Sequence, residues 1–388
     1  MAWTKFLRNK TGVAALTVIL FSCIVAILGY LITPDHTPYA NTQILEINRQ
    51  KPGFSVGMLL VKKNETTEKT NFIQEMMFGK KNSFSQIPIS NYYYTEDEIV
   101  VQLFDPGDSE IYENFNLANV VFSIEGIPEF YSDNISFINF NGEQEEYPIS
   151  DLRATITEKH LVNRTFWLGT DQFGRDLLSR LIIGTRVSLS VGFISVAISL
   201  LIGILLGSLS GYFRGRTDDI IIWFINVVWS IPTLLLVIAI TFALGRGFWQ
   251  IFIAVGLTMW VEVARIVRGQ IISIREKEFV EAGFALGFSN YRIITKHILP
   301  NVLSPVIVIS AANFAAAILI EAGLSFLGIG VQPPMPSWGG MIKEYYSFII
   351  LDSAYLAIVP GIAIIVLVLA FMTLGNALRD ALDVKTMV

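Results

Sequence analysis

Residues 12–32 read Gly12-Val-Ala-Ala-Leu-Thr-Val-Ile-Leu-Phe-Ser-Cys-Ile-Val-Ala-Ile-Leu-Gly-Tyr-Leu-Ile32, without a charged side chain. At ~1.5 Å of rise per residue, about 21 helical residues match a hydrocarbon core ~30 Å thick, so the run predicts a membrane-spanning helix. A cleaved signal peptide is the competing reading. The run is longer than an ordinary signal core and ends without a small-x-small cleavage site, so the helix is expected to be retained. Lys5, Arg8 and Lys10 precede it, and the positive-inside rule then places the N-terminus in the cytoplasm.

Further apolar runs at 188–213, 220–244, 248–264, 302–328 and 354–375 bring the expected number of spans to six. The composition agrees: 388 residues, 53% hydrophobic and only 16% charged, with a mean hydropathy of +0.54. A soluble domain of this length could not wet its surface with so little charge, so the bilayer is the expected solvent. Alternating the spans puts Arg214, Arg216, Arg265, Arg268, Arg275, Lys277, Arg292, Lys296, Arg379 and Lys385 in the cytoplasm, and only Arg246 and Lys343 in the short outer loops. Hydropathy and basic-residue bias thus give one topology. Cys23 is the only cysteine and lies in the first run, so neither a disulfide framework nor a cysteine metal cluster is available, and no metal site is expected among the three histidines.

The net charge of −5 conceals a split. Residues 34–160 hold about 20 acids and 9 bases, against about 13 acids and 19 bases elsewhere, as if the two parts face different compartments. The stretch between the first two spans is too long for a loop and too polar for the membrane. Alternating or β-branched runs at 98–104, 119–124 and 134–140, bounded by Asp105-Pro-Gly107, Gly126 and Asn141-Gly142, predict a β-rich extracytoplasmic domain over 34–165. The sequons at Asn64, Asn134 and Asn163 are short, common patterns and carry little weight.

Within the spans, Gly203, Gly207 and Gly211 recur every four residues and would let a neighbouring backbone approach one helical face; incidental glycine is the plainer reading. Pro232 removes a backbone donor and is expected to kink the third span. Glu321 stands in the middle of the fifth, where an ionised carboxylate must face protein or water. It is equally a pathway residue or a carboxylate hydrogen-bonded in the bundle interior. Glu262, within reach of Arg265 and Arg268, reads as structural. The segment Gly169-Thr-Asp-Gln-Phe-Gly-Arg-Asp176 has the glycine spacing of a phosphate loop, but Arg175-Asp176 replaces Lys-Ser/Thr and no strand feeds it. No catalytic residues, and hence no ATP hydrolysis, are expected of this chain.

Residues 276–301 read Glu276-Lys-Glu-Phe-Val-Glu-Ala-Gly-Phe-Ala-Leu-Gly-Phe-Ser-Asn-Tyr-Arg-Ile-Ile-Thr-Lys-His-Ile-Leu-Pro-Asn301. A short helix ending at Leu286, Gly287 in a left-handed position, and a second helix capped by Ser289 and running toward Pro300 are expected. Phe284, Leu286, Phe288 and Tyr291 would be exposed near the turn, which favours a protein-binding knob over a connector. A helix-turn-helix for nucleic acid is excluded in practice by a tethered span on each side.

This segment resembles the cytoplasmic loop of binding-protein-dependent importer permeases: Glu-Ala-Ala, three residues, Gly, nine residues, Ile-x-Leu-Pro. Here it is Glu281-Ala282-Gly283, Gly287 and His297-Ile298-Leu299-Pro300, with Gly283 and His297 as departures. Segments beginning at Leu168, Ser188, Ala264, Leu324, Pro333 and Gly375 resemble the C-type permease of the oligopeptide, dipeptide and nickel ABC importer family, covering 168–382 almost continuously. The long acidic insertion is a departure, and the resemblance says nothing of its role.

The resemblance implies an all-α polytopic membrane protein of the type I importer permease fold. Residues 1–33 would carry the N-terminus and first span, 34–165 the insertion, and 166–388 a five-helix core with a coupling loop at 265–301. It implies pairing with a homologous permease, two cytoplasmic ATPases that use ATP and magnesium, and an external solute-binding protein, with no cofactor on this chain. Localisation in the plasma (inner) membrane follows, with both termini cytoplasmic. Peptide, nickel and sugar-peptide solutes share these motifs, and peptide is the leading expectation. Two other classes stay open: a secondary transporter or channel supported by Glu321 alone, and a membrane-anchored receptor whose outer domain is the working part.

Overall fold

The computed structural model describes residues 2–65, 70–107, 110–140, 142–245 and 247–382. Arg246, Lys385, Asn141 and the threonine of the first sequon, on all of which readings above rest, lie outside these. The chain divides into two units, one formed by Met1–Ala26 with Gly184–Val388, the other by Ile27–Ile183.

Among the described residues, five helices are long and apolar enough to cross a membrane: Lys10–Ile32, Leu177–Phe213, Phe248–Arg275, Asn290–Phe326 and Tyr355–Leu382. The third expected span is instead a pair, Gly215–Trp229 and Thr233–Leu244, bent by 93°. The break falls at Ser230-Ile231-Pro232. Proline cannot donate a backbone bond, and its ring disfavours helical geometry in the residue before it. Pro232 therefore starts a new helix, with φ −53° and ψ 125°, rather than bending a continuous one. Several helices outrun their apolar cores: the second reaches back to Leu177, and the fourth begins as the turn after Ser289. At the N-terminus, the short Ala2–Arg8 helix buries Phe6 against Ala377 and Ala381.

The other unit is built on strands. β1 (Phe54–Lys62), β2 (Phe84–Tyr94), β3 (Glu98–Leu103), β4 (Tyr112–Asn116) and β8 (Leu161–Phe166) form an antiparallel sheet of order β4-β3-β2-β1-β8. β5 (Ile124–Tyr131), β6 (Asn134–Asn139) and β7 (Gln144–Pro148) form a second, three-stranded sheet. Leu59, Ile99, Val101, Ile135 and Phe137 are buried together with Leu117, Val120, Leu152 and Ile156 from helical segments. The centres of β3 and β6 are buried on both faces, Ile99-Val100-Val101 and Ile135-Ser136-Phe137, so these strands are withdrawn from water most completely.

The strands expected at 98–104 and 134–140 are present as β3 and β6. The one expected at 119–124 is not. Leu117–Val121 is a helical turn, capped by Asn116, whose side chain accepts from the Ala118 N–H at 3.0 Å. Burial of Leu117, Ala118 and Val120 overrides the β preference of Val120-Val121. Gly126, expected to end a strand, lies inside β5 where the register with β6 shifts.

Candidate functional site

Helix Phe248–Arg275 ends at Glu276, and Lys277 starts the short helix Glu278–Ala285. Leu286 closes that helix, its N–H donating to Ala282 O at 3.0 Å, and Gly287 follows at φ +73°. The Phe288 N–H reaches back to Gly283 O at 3.1 Å, so the turn is closed by backbone bonds on both sides of Gly287. Ser289 then caps the next helix, its hydroxyl accepting from the Arg292 N–H at 3.4 Å. Helix, left-handed turn and helix are where the sequence put them.

The second helix differs from the expectation. It does not stop near Pro300 but passes through a wider, π-helical stretch, Ile293–Ile298, into Leu299–Phe326. Pro300 has no N–H to give to the preceding turn, and the wide turn just before it takes up that gap. Asn301 helps, its Nδ2 donating to His297 O at 2.7 Å.

Burial divides the site residues into a root and a tip. Val280, Gly283, Ile293 and Ile298 are buried with Tyr212, Val263, Val267 and Ile271 of the long helices. Phe288 is half-buried, stacked on His297 at 5.6 Å, with the Arg292 guanidinium 4.0 Å from its ring centre. At the tip, Glu281, Ala282, Phe284, Leu286 and Tyr291 are exposed, Leu286 at 71% and Tyr291 at 77%. Leu299 is half-buried and Pro300 exposed along the emerging helix.

Sequence reasoning overlooked the residue that holds the tip in place. Tyr212, at the end of Leu177–Phe213, donates its hydroxyl to Asn290 Oδ1 at 2.8 Å and stacks on Phe284 at 6.2 Å. One side chain thus joins a long helix to both arms of the turn. The only signal for it was an aromatic at the end of an apolar run, beside Arg214. Nearby, Arg268 donates two bonds to the Asp218 carboxylate, at 2.7 and 2.6 Å. Arg265 bonds Asn226 at 2.9 Å and lies over Trp229. Glu262 is exposed, and among the described contacts neither arginine turns to it, which corrects the structural role assigned to that carboxylate.

Gly203, Gly207 and Gly211 line one face of Leu177–Phe213 against Phe248–Arg275. A methyl group on Gly203 would stand 2.5 Å from Val263 Cβ, one on Gly207 2.6 Å from Ala264 O, and one on Gly211 2.9 Å from Arg268 O. Gly256 reciprocates from the other helix, 2.7 Å from Ile198 Cβ, and Ser195 donates to Phe252 O at 3.0 Å. Glu321 is fully buried, with Oε1 accepting from Ser325 at 2.7 Å. Ser325 Oγ in turn accepts from Val331 N–H and Ser337 Oγ, each at 3.3 Å, so the carboxylate sits beneath the loop it helps to fasten. In the other unit, Asp171 is buried and ion-paired with Arg175 at 2.6 Å, and its Oδ1 accepts from the Phe173 and Arg175 N–H groups. The glycine-spaced segment is therefore a closed, self-satisfied turn.

Comparison with known proteins places this architecture. Residues 203–388 match the family described as binding-protein-dependent transport system inner membrane component, and residues 1–52 match the N-terminal TM domain of oligopeptide transport permease C. The glutathione transport system permease protein GsiD of Pectobacterium atrosepticum is 40% identical over 219 residues, 56% of this chain and 72% of the relative. The dipeptide permease DppC of Bacillus subtilis is 40% identical over 239 residues, 61% and 75% of the two chains. The oligopeptide permease OppC of Haemophilus influenzae is 39% identical over 249 residues, 64% and 78%. Among solved structures, the inward-facing MetNI methionine ABC transporter aligns with a TM-score of 0.45 and 19% identity, over 53% of this chain and 97% of that one. The chain belongs to the family of binding-protein-dependent transport permeases, and it is a multi-pass membrane permease subunit.

Proposed function

We propose that this permease forms half of a peptide translocation pathway, and that Glu281 to Tyr291 is the surface through which cytoplasmic ATPases drive it. The observation that carries the reading is the division of the knob into root and tip. Phe284, Leu286 and Tyr291 leave apolar surface exposed while Val280, Ile293 and Ile298 anchor the same turn in the helix bundle. A force applied to the tip is thereby delivered to three long helices, one of them through Tyr212. In this reading the bent pair is one span, making six, with both termini cytoplasmic and the β unit outside. A homologous permease, two ATPases and an external binding protein complete the importer. Peptide is favoured as solute because relatives of this chain are named for dipeptide, oligopeptide and glutathione transport. The alternating-access cycle would draw ATP and magnesium from the ATPases, with this chain supplying pathway and linkage.

The test is to assay ATPase co-purification and peptide uptake on the same samples for Glu281→Lys and Gly287→Val. A charge-assisted contact is worth about 1.5–3 kcal/mol, so Glu281→Lys should weaken attachment roughly 10- to 100-fold. Membrane insertion should be unchanged. Wild-type attachment and uptake in both variants would reduce the segment to a connector.

A further inference from the structure

We propose that the helix Phe72–Phe78 is a membrane-interface anchor, lying in the lipid headgroup boundary where the first span leaves the bilayer. The segment reads Phe72-Ile-Gln-Glu-Met-Met-Phe78, and none of its residues is buried. Phe72, Ile73, Met77 and Phe78 are exposed at 66%, 69%, 45% and 67%. Phe72, Ile73, Met76 and Met77, at spacings of one, four and five, share one helical face, and Gln74 and Glu75 lie off it. A helix this short does not persist in water on propensity alone, and none of its side chains is buried in a core. It is nevertheless well built. The Asn71 N–H donates to Gln74 Oε1 at 3.1 Å as part of a capping box, and Glu75 accepts from Thr70 at 2.7 Å and pairs with Lys80 at 3.0 Å.

What selects lipid as the occupant is the point of attachment. The helix ends at Gly79, where a Cβ would stand 2.6 Å from His36 O and 3.0 Å from the Tyr30 ring. The Lys80 N–H donates to His36 O at 2.9 Å, and His36 Nδ1 is bonded to Tyr30 O at 2.7 Å. Tyr30 is in the last turn of the apolar Lys10–Ile32 helix, where the chain enters this unit. The C-terminal end of the helix is therefore pinned beside the last turn of that span. Phenylalanine and methionine at that depth reach the acyl boundary, and exposed Lys80 and Lys81 beside them reach the headgroups.

The full chain is reconstituted in vesicles of phosphatidylethanolamine and phosphatidylglycerol, with Cys23→Ser and a single Ile73→Cys carrying an environment-sensitive thiol fluorophore. Phe72→Cys, labelled in the same way, guards against a folding failure at the first position. Ile127→Cys, at a site 92% exposed, calibrates the hydrated limit. The expected result is a blue-shifted emission at 73 and 72 that loses more than half its intensity when the phospholipid chains are brominated and resists aqueous iodide. Iodide quenching at 73 and 72 equal to that at 127 would overturn the proposal. Protection from both quenchers would also overturn it, showing a protein rather than lipid on this face.

Discussion

Where Leu177–Phe213 meets Phe248–Arg275, the contact is made by what is missing: Gly203, Gly207 and Gly211 leave no side chain, and the opposing backbone and β-carbons fill the space. Where the strands of the other unit meet their short helices, the contact is made by what is present: Leu59, Ile99, Leu117, Ile135 and Leu152, all withdrawn from solvent. The difference follows from the solvent. In lipid, apolar side chains gain nothing by leaving their surroundings, so helices associate through close approach and dispersion. In water, transfer of apolar surface is itself the driving force. One chain therefore contains two kinds of core, and they respond in opposite ways to the same mutation: the seam suffers when atoms are added, the β core when they are removed.

The largest effect should come from removing atoms in the β core. Ile135→Ala at a fully buried site should cost about 2–5 kcal/mol. Hydrogen exchange should rise through β1–β8 while the long helices stay protected, and equal protection loss in both would show that the two cores are not independent.

Adding atoms to the seam comes next. Gly203→Ala forces its methyl against Val263 Cβ and, at 2.8 Å, against Trp260 O. Such overpacking costs about 1–3 kcal/mol. Val263→Gly in the same chain should recover part of the loss, the remainder belonging to the carbonyl. Gly269→Ala, with nothing within 4 Å, is the matched control and should not destabilise but raise stability by about 0.5–1 kcal/mol in thermal unfolding of the detergent-solubilised protein, as expected for an uncrowded helical glycine.

These two cores differ in how visibly they are written. The i, i+4 glycines and the apolar runs announce the seam, because a helix repeats its faces along a continuous segment. β3 and β6 are visible for the same reason at period two. β1, β2 and β8 escaped notice because their partners are remote: β1 pairs Leu59 with Ile87 on one side and Leu161 on the other, and pairing at such separations leaves no local mark. The turn at Gly287 was legible since only a left-handed residue closes that motif. The pin at Tyr212 was not, as its partner Asn290 stands 78 positions away. Nor was the true partner of Arg268: Glu262, one and a half turns away on its own helix, hid the claim of Asp218 on another.

That arginine supplies a smaller test of the seam's neighbourhood. Asp218→Asn keeps the shape but removes the charge from a bidentate pair that is only 28% and 15% exposed. The expected cost is about 1–2 kcal/mol, reduced by partial solvation. Arg268→Lys should lose a similar amount, since an ammonium cannot make both bonds. Unchanged thermal unfolding in both variants would show that Gly215–Trp229 is held to Phe248–Arg275 by apolar packing around Ile225 and Trp260 rather than by this pair.

The smallest effect separates the two glycines of the knob, which the logic of cores does not cover. Gly283 is in the short helix, and a methyl there would meet Phe288 and Ile293 at 3.6 and 3.7 Å, ordinary contact distances. Replacing it by alanine should stabilise that helix by about 0.5–1 kcal/mol through reduced backbone freedom. Gly287 has no atom within 4 Å of such a methyl, yet its φ of +73° penalises any side chain. Gly287→Ala should therefore cost about 1 kcal/mol without a clash. The two substitutions add the same group, four residues apart, and are expected to move stability in opposite directions. Hydrogen exchange of the Leu286 and Phe288 amides, which close the turn on Ala282 and Gly283, reads the difference directly. If both variants loosen these amides equally, the added volume rather than the backbone angle governs the turn. If only Gly287→Ala loosens them, the knob is held by its one left-handed residue, and the tip bearing Leu286 and Tyr291 is aimed by backbone geometry rather than by packing.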